Sequence, residues 1–319
     1  MKRNEKISAS NSCTLNLEID CKVVYTLFMK SFDLALDIKR ICAIYNVSLE
    51  AFSNAIGVSR TTLNDILKGK KPTLSKALLE AVNGYAYRVH EGIDINRSKE
   101  MIYQDDAHGR ILLFHGARQD IAGEVDVHHS VPPNDFGDGF YTGTSLKQAS
   151  SWVSKFEHAS AYCFYLEKAD ELETLRLEAG RDWLYAVLFY RNAFADFSAN
   201  DNVHSLIHTI EHSDLIIAPI ANNEMFRTID AFAHNEITDE ACLHAISATN
   251  LGYQYVFKSD SACAHLRCID RLYLCEKEKI HYLQERDALA KEGIMKSQLA
   301  KIEYRRKGLY FDEIFSRKG

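Results

Sequence analysis

Three segments of this chain gather the residue types that could do chemistry. RILLFHGA (110–117) is an apolar β-type run that ends on His115-Gly116. DFGDGFYTGTSLKQASSW (135–152) packs three glycines, several aromatics and a hydroxyl series ahead of a helix-like stretch. GYQYVFKS (252–259) alternates like a strand and runs into DSACAHLRC. The groups on offer are an imidazole at His115, ring faces at Tyr141 and Trp152, and an amide at Gln254. That amide can hydrogen-bond a hydroxyl but carries no charge. Taken singly, each has an ordinary structural explanation. His115 could close a strand as a satisfied side chain, G-x-G-F-Y could be a turn, Tyr141 and Trp152 could be core, and Gln254 could be any strand residue. Their order and spacing set them apart. A fourth group, Cys263, His265, Cys268 and Cys275, matches no standard zinc spacing, and none of the eight cysteines forms a C-x-x-C pair. The thiols therefore read as reduced and mostly buried, and no metal is expected.

Positioning such groups requires a core, and the composition supplies one. The chain has 319 residues, of which 46% are hydrophobic and 26% charged, as in a soluble globular protein of roughly two domains. No apolar run approaches the roughly 20 residues of a membrane span. The opening MKRNEKISASNSCTLNLEID has no secretory features, so a cytoplasmic protein without membrane contact is expected. Charge falls in blocks: +4 over residues 1–100, −13 over 101–275 and +3 over 276–319. An acidic middle of that size opposes bulk attraction to nucleic acid; the basic head does not.

The head reads as helical. Leu34, Leu36, Ile38, Ile41 and Ile44 make an apolar stripe. Ser48 can cap LEAFSNAIG, Gly57 can take the positive φ of a sharp turn, and Ser59 can cap RTTLNDILKG, which stops at Gly69. VSLEAFSNAIGVSRTTLNDILKGKKP resembles the helix-turn-helix of the phage-repressor/Cro family, with Ser53 at the helix crossing and Leu63 facing inward. That resemblance implies that Ser59, Arg60, Thr61, Thr62 and Asn64 face a DNA groove. A helical subdomain that binds only protein is the alternative.

His-Gly after a strand, then Gly-Phe-Tyr with an aromatic eleven residues on, resembles the ADP-ribosyltransferase fold, specifically its diphtheria-toxin/poly(ADP-ribose)-polymerase (H-Y-E) branch. Residues from about 108 to 275, including SDLIIAPIANNEMF (213–226), FAHNEITDEACLHAI and YQYVFKSDSACAHL, resemble an uncharacterised bacterial family assigned to that fold. The resemblance implies an α+β protein with a split, mainly antiparallel sheet that cleaves the nicotinamide–ribose bond of NAD, its substrate. It implies that His115 hydrogen-bonds the adenosine ribose and that Gly116 lets the backbone approach the carboxamide. Tyr141 and Trp152 would stack on nicotinamide, with Trp152 replacing the usual tyrosine; Gly137 and Gly139 would shape the turn presenting Tyr141. Thr144 and Ser145 would be polar neighbours, and Arg191 would hold phosphate or make a structural ion pair. Asp196, His204 and His208 carry no motif.

The departure is Gln254, which stands where the branch has a glutamate. A carboxylate there would hold the ribose hydroxyl and stabilise an oxocarbenium-like charge. The acceptor could supply the missing base, or Glu224, Asp135 or Glu236 could fill in. Elongation is tied to the glutamate, so mono-ADP-ribosyl transfer to a protein, RNA or DNA acceptor is implied. The architecture suggests a toxin of a toxin–antitoxin or phage-defence system, with an antitoxin or other protein partner. A transcription regulator that senses NAD without turnover and an NAD glycohydrolase remain the alternatives.

The resulting division is an N-terminal extension (1–30), a helix-turn-helix domain (31–95), a catalytic domain (105–275) and a charged C-terminal helix (276–319). In the last, Ile280, Leu283, Leu289, Ile294, Leu299 and Ile302 make an imperfect amphipathic pattern that Gly293 interrupts. YFDEIF (310–315) offers apolar side chains to a partner.

Overall fold

The computed structural model describes residues 31–70, 74–88, 95–130, 134–191, 201–220, 223–247 and 252–315. The N-terminal extension 1–30 and Asp196 lie outside the described residues, as does the side chain of Glu224. The fold is α+β. Four short helices, α1 (Leu34–Ile44), α2 (Leu49–Ile56), α3 (Arg60–Leu67) and α4 (Lys76–Asn83), form the head. α5 (Ile95–Asp105) leads into the sheet. The strands are β1 (Ile111–Ala117), β2 (Phe140–Gly143), β3 (Ser160–Leu166), β4 (Thr174–Arg176), β5 (Leu215–Pro219), β6 (Tyr253–Phe257) and β7 (Leu266–Tyr273). Between them lie α6 (Leu146–Val153), α7 (Arg181–Tyr190), α8 (Asp201–His212), α9 (Asn223–Ala233), α10 (Asp239–Ser247) and α11 (Asp260–Cys263). α12 (Glu276–Tyr304) and α13 (Phe311–Phe315) close the chain.

The head folds as its capping residues dictate. Ser48 and Ser59 each accept a backbone hydrogen bond three residues on, at 3.1 Å, and Gly57 takes the left-handed conformation (φ 69°) between α2 and α3. Ser53 Oγ donates to the Val58 carbonyl at 2.5 Å, and Leu63 is fully buried. The stripe on α1 buries Leu34, Ile38 and Ile41, but Asp37 goes inside with them.

That buried acid shows how the head meets the rest of the chain. Lys99 on α5 reaches Asp37 at 2.5 Å and Asp270 on β7 at 3.1 Å, and all three side chains are buried. Burial pushes the Asp37 carboxyl up, and Lys99 pulls it back. Tyr103 donates to Asp270 at 2.6 Å, Tyr273 donates to Glu80 at 2.7 Å, and Tyr273 and Cys275 join the head's apolar core. The head is thus docked on the edge strand β7, a contact that uses α1 and α4 and leaves Ser59, Arg60 and Thr61 exposed.

The seven strands form one sheet in the order β4-β5-β6-β2-β1-β3-β7, antiparallel except for β4 with β5. Its weakest seam lies between β1 and β2, which pair only at Phe114 and Gly143. β1 and β3, by contrast, pair over seven positions. The expected split is therefore a local parting within one continuous sheet. Packed on the β5–β6 side, α7 to α10 bury Trp183, Val187, Ile210 and Phe232 in the largest apolar cluster. On the β1–β3 side, Leu146 and Ala149 of α6 pack against Leu112, Phe114 and Cys163.

α12 corrects the amphipathic reading. Ile280, Leu289, Leu299 and Ile302 are exposed, while Tyr282, Gly293 and Ala300 are buried, and the helix runs through Gly293 without a break. It is anchored by Lys147 with Glu285 at 2.8 Å, Thr228 with Ser297 at 2.9 Å and His244 stacked on Tyr304, while Tyr282 packs with Val153 and Leu274. The apolar side chains of α13 dock on their own domain, Phe311 against Phe232 and Phe315 against Tyr185.

Candidate functional site

Beyond Phe114, β1 has no strand partner on its β2 side, and a cleft of about 770 Å³ opens there. That volume is typical of small-molecule sites. His115, Gly116, Tyr141, Trp152 and Gln254, drawn from four separate elements, all line it.

His115 is the second residue after Leu113, so its side chain falls on the same sheet face. There it stacks on Phe140, centroids 4.4 Å apart. Its Nδ1 donates to the Tyr141 carbonyl at 2.7 Å, bridging the seam that the strands leave open. A carbonyl partner places the proton on Nδ1, so Nε2 carries the lone pair. Burial lowers the pKa to about 4, which keeps the ring neutral at physiological pH.

Gly116 faces α6. A Cβ there would sit 2.2 Å from the Ala149 carbonyl oxygen and 3.0 Å from Val153 Cγ1. The missing side chain is thus demanded by helix packing, whatever else its backbone does.

Tyr141 is held by the loop before it. Its hydroxyl donates to the Gly137 carbonyl at 2.7 Å and accepts from the Phe136 amide at 3.0 Å, and burial pushes its pKa up. Lys258 braces that loop from outside, donating to the carbonyls of Phe136 at 2.6 Å and Asp138 at 2.7 Å. Gly137 has a φ of +70°, and a Cβ on Gly139 would meet Val256 at 2.8 Å. With its hydroxyl engaged, Tyr141 offers the cleft a fixed ring. Trp152, in the last turn of α6, is 46% exposed.

Gln254 lies at the buried end of the cleft. Its Nε2 donates to Asp135 Oδ2 at 2.9 Å and to the Pro219 carbonyl at 3.0 Å. Asp135, also buried, receives Arg191 Nε at 3.0 Å and Nη2 at 2.8 Å on its other oxygen. The ion-pair reading of Arg191 is the one the geometry carries, and the pair sits in the cleft wall.

Other expected residues fall elsewhere. Ser145 caps α6, accepting from the Gln148 amide at 3.3 Å, and does not line the cleft; Thr144 is exposed. Glu236, His204 and His208 are exposed, and His208 stacks on His212. On the head, Ser59 and Thr62 bond each other at 2.8 Å, Arg60 pairs with Glu50 at 3.6 Å, and Asn64 is half-buried.

The motif reading passes over part of the cleft wall. Arg118, Asp120, His128, His129 and Asn134 come from the β1–β2 connection. Asp120 is tied to Arg271, whose guanidinium lies 4.0 Å from the ring of Phe32 at the start of the head. The signal available for these residues is the histidine pair in DVHHS, which follows no motif. Among the described residues, no group of histidines, cysteines and acids could hold a metal ion, and no helix is long and apolar enough to cross a membrane. Among the described residues, no two cysteines are joined in a disulfide.

No curated protein and no solved structure matches this chain. Residues 111–268, from the start of β1 into β7 and hence across all seven strands, are similar to a family described as Protein of unknown function (DUF3990).

Proposed function

We propose that this chain is an NAD-dependent mono-ADP-ribosyltransferase that modifies an intracellular protein or nucleic acid. The observation that carries the reading is the convergence of His115, Gly116, Tyr141, Trp152 and Gln254 on one cleft. The chemistry of each group fits its part. Neutral His115, with Nδ1–H tied to a carbonyl, keeps Nε2 as an acceptor for a ribose hydroxyl. The ring of Tyr141, its hydroxyl already bonded, offers a face to the flat nicotinamide, and Trp152 offers a second. Gln254 Oε1 accepts from a hydroxyl of the nicotinamide ribose. Holding the leaving group and the ribose at once aligns the scissile bond. The head carries Ser59, Arg60, Thr61, Thr62 and Asn64 toward DNA, and its docking through α1 and α4 leaves the start of α3 accessible. A DNA reader joined to such an enzyme suits a toxin of a toxin–antitoxin or phage-defence system, silenced by a protein partner.

The test is incubation of the purified protein with labelled NAD and cell lysate. Label transfer and nicotinamide release, both lost in His115→Ala and Tyr141→Ala, are expected; their absence in the unaltered chain refutes the reading. Release without lysate would instead mark a glycohydrolase. Gln254, an uncharged group at the cleft's buried end, favours one second reading: a helix-turn-helix regulator that binds NAD without turning it over. Sequence-specific DNA binding modulated by NAD, with no nicotinamide released, would establish it.

A further inference from the structure

Gln254 has spent its donors. Both hydrogens of Nε2 are committed, to Asp135 Oδ2 at 2.9 Å and to the Pro219 carbonyl at 3.0 Å. What it can still give a ligand is Oε1, an acceptor with no charge. The charge lies one hydrogen bond behind it. Asp135 is only 5% exposed, yet it borders the cleft. The other acid there, Asp120, is exposed and tied to Arg271. Among the described residues, Asp135 is therefore the buried carboxylate of the cleft. Arg191 grips Oδ1 with two nitrogens, which fixes the plane of the carboxylate and leaves Oδ2 to Gln254.

We propose that Asp135 supplies the negative charge that stabilises cleavage, acting through Gln254 as a positioning residue. The hydroxyl acceptor and the charge, which a single glutamate would combine, are divided between two side chains 119 positions apart. This rests on the NAD reading above. In the reaction the bond from ribose C1′ to the pyridinium nitrogen breaks, and both its electrons stay on that nitrogen. The ring leaves as neutral nicotinamide, and its positive charge passes to the C1′–O4′ unit. A lone pair of the acceptor, or of water, then forms the new bond to C1′, and its proton goes to solvent. Asp135 takes up no proton in this step, and the field of its carboxylate, itself only 5% exposed, favours the developing positive charge on the sugar.

The experiment exchanges the two groups in the full-length chain, with NAD as the probe and nicotinamide release and NAD binding as readouts. Asp135→Asn keeps the shape and removes the charge; kcat is expected to fall by about 100-fold, with NAD affinity within about 3-fold of the unaltered chain. Adding Gln254→Glu to Asp135→Asn restores an amide facing a carboxylate, with the charge moved to position 254, and should recover at least about 10-fold of the loss. A merely structural pair would show its loss and recovery in folding and NAD affinity, with kcat unchanged. Gln254→Glu alone sets two carboxylates side by side, so one binds a proton and the acid limb of the pH–rate profile moves up. That variant carries the test if Asp135→Asn fails to fold. The inference is overturned if folded Asp135→Asn keeps its kcat, if the exchanged pair is no faster than Asp135→Asn, or if the profile of Gln254→Glu does not move. If the unaltered chain releases no nicotinamide, the NAD reading fails and this inference falls with it. If it does release nicotinamide and the variants behave like it, this inference alone fails.

Discussion

Replacing Gly116 by alanine tests the architecture of the cleft without presupposing a ligand. The added Cβ would stand 2.2 Å from the Ala149 carbonyl oxygen, where real contacts need at least 3.0 Å, and 3.0 Å from Val153 Cγ1. Both neighbours belong to α6, and the closer one is backbone, so no rotamer change relieves it. Either α6 lifts by roughly 1 Å or β1 bends away from β3, with which it pairs at Ala161. Overpacking of this kind costs about 1–3 kcal/mol, and the lower chain entropy of alanine returns only about 0.4–1 kcal/mol. A net loss of about 1–2 kcal/mol is expected in urea unfolding followed by circular dichroism. Because α6 also carries Trp152, the same displacement of about 1 Å should weaken NAD turnover by up to 100-fold. A variant as stable as the parent, to within about 0.5 kcal/mol, would refute the packing argument. A destabilised variant with unchanged turnover would separate helix packing from the chemistry.

Three further outcomes follow from the same geometry. Below pH 6.5 the unfolded chain binds a proton that folded His115 refuses until about pH 4, so its contribution to stability is intact above that window and lost as acid is added through it. The slope is at most about 1.4 kcal/mol per pH unit, and urea titrations at successive pH values should find it absent in His115→Gln. Trp152→Ala, at a residue 46% exposed, should cost less than about 1 kcal/mol of stability but about 5-fold in NAD affinity by calorimetry; equal affinity would remove Trp152 from the site. Lys99→Met leaves Asp37 buried without its counter-ion and should destabilise the chain by about 3–5 kcal/mol in denaturant titration; a loss under about 1 kcal/mol would show that the carboxylates find water.

The parts legible in the sequence are those that local chemistry decides. Ser48, Gly57 and Ser59 announce the head because a cap or a positive φ needs only its near neighbours. The residues 115, 116, 141, 152 and 254 could be singled out by motif order, and they share one cleft. What stayed hidden depends on contacts across long separations. Nothing near Asp37 says that Lys99 and Asp270 will neutralise it, so an acid on an apolar stripe reads as solvent-facing. Asp135 could be named as a stand-in acid, but its bond to Gln254 is set by the register of β6 against β5 and by the loop before β2. In α12 the hydrophobic pattern misled because small and polar side chains make the contacts while isoleucines and leucines face outward.

α12 spans 29 residues, or about 43 Å, and its two ends rest on opposite sides of the seam between β1 and β2. Glu285, toward its start, is bonded to α6 on the β1–β3 side; toward its end, Ser297 is bonded to and Tyr304 stacked on the helices packed on β5 and β6. One rigid rod thus bridges the place where the sheet is least stitched together. The two banks of the fissure cannot drift apart without bending that rod or breaking its anchors at one end. Its width is therefore governed from outside the sheet, by a helix that contributes no residue to the lining.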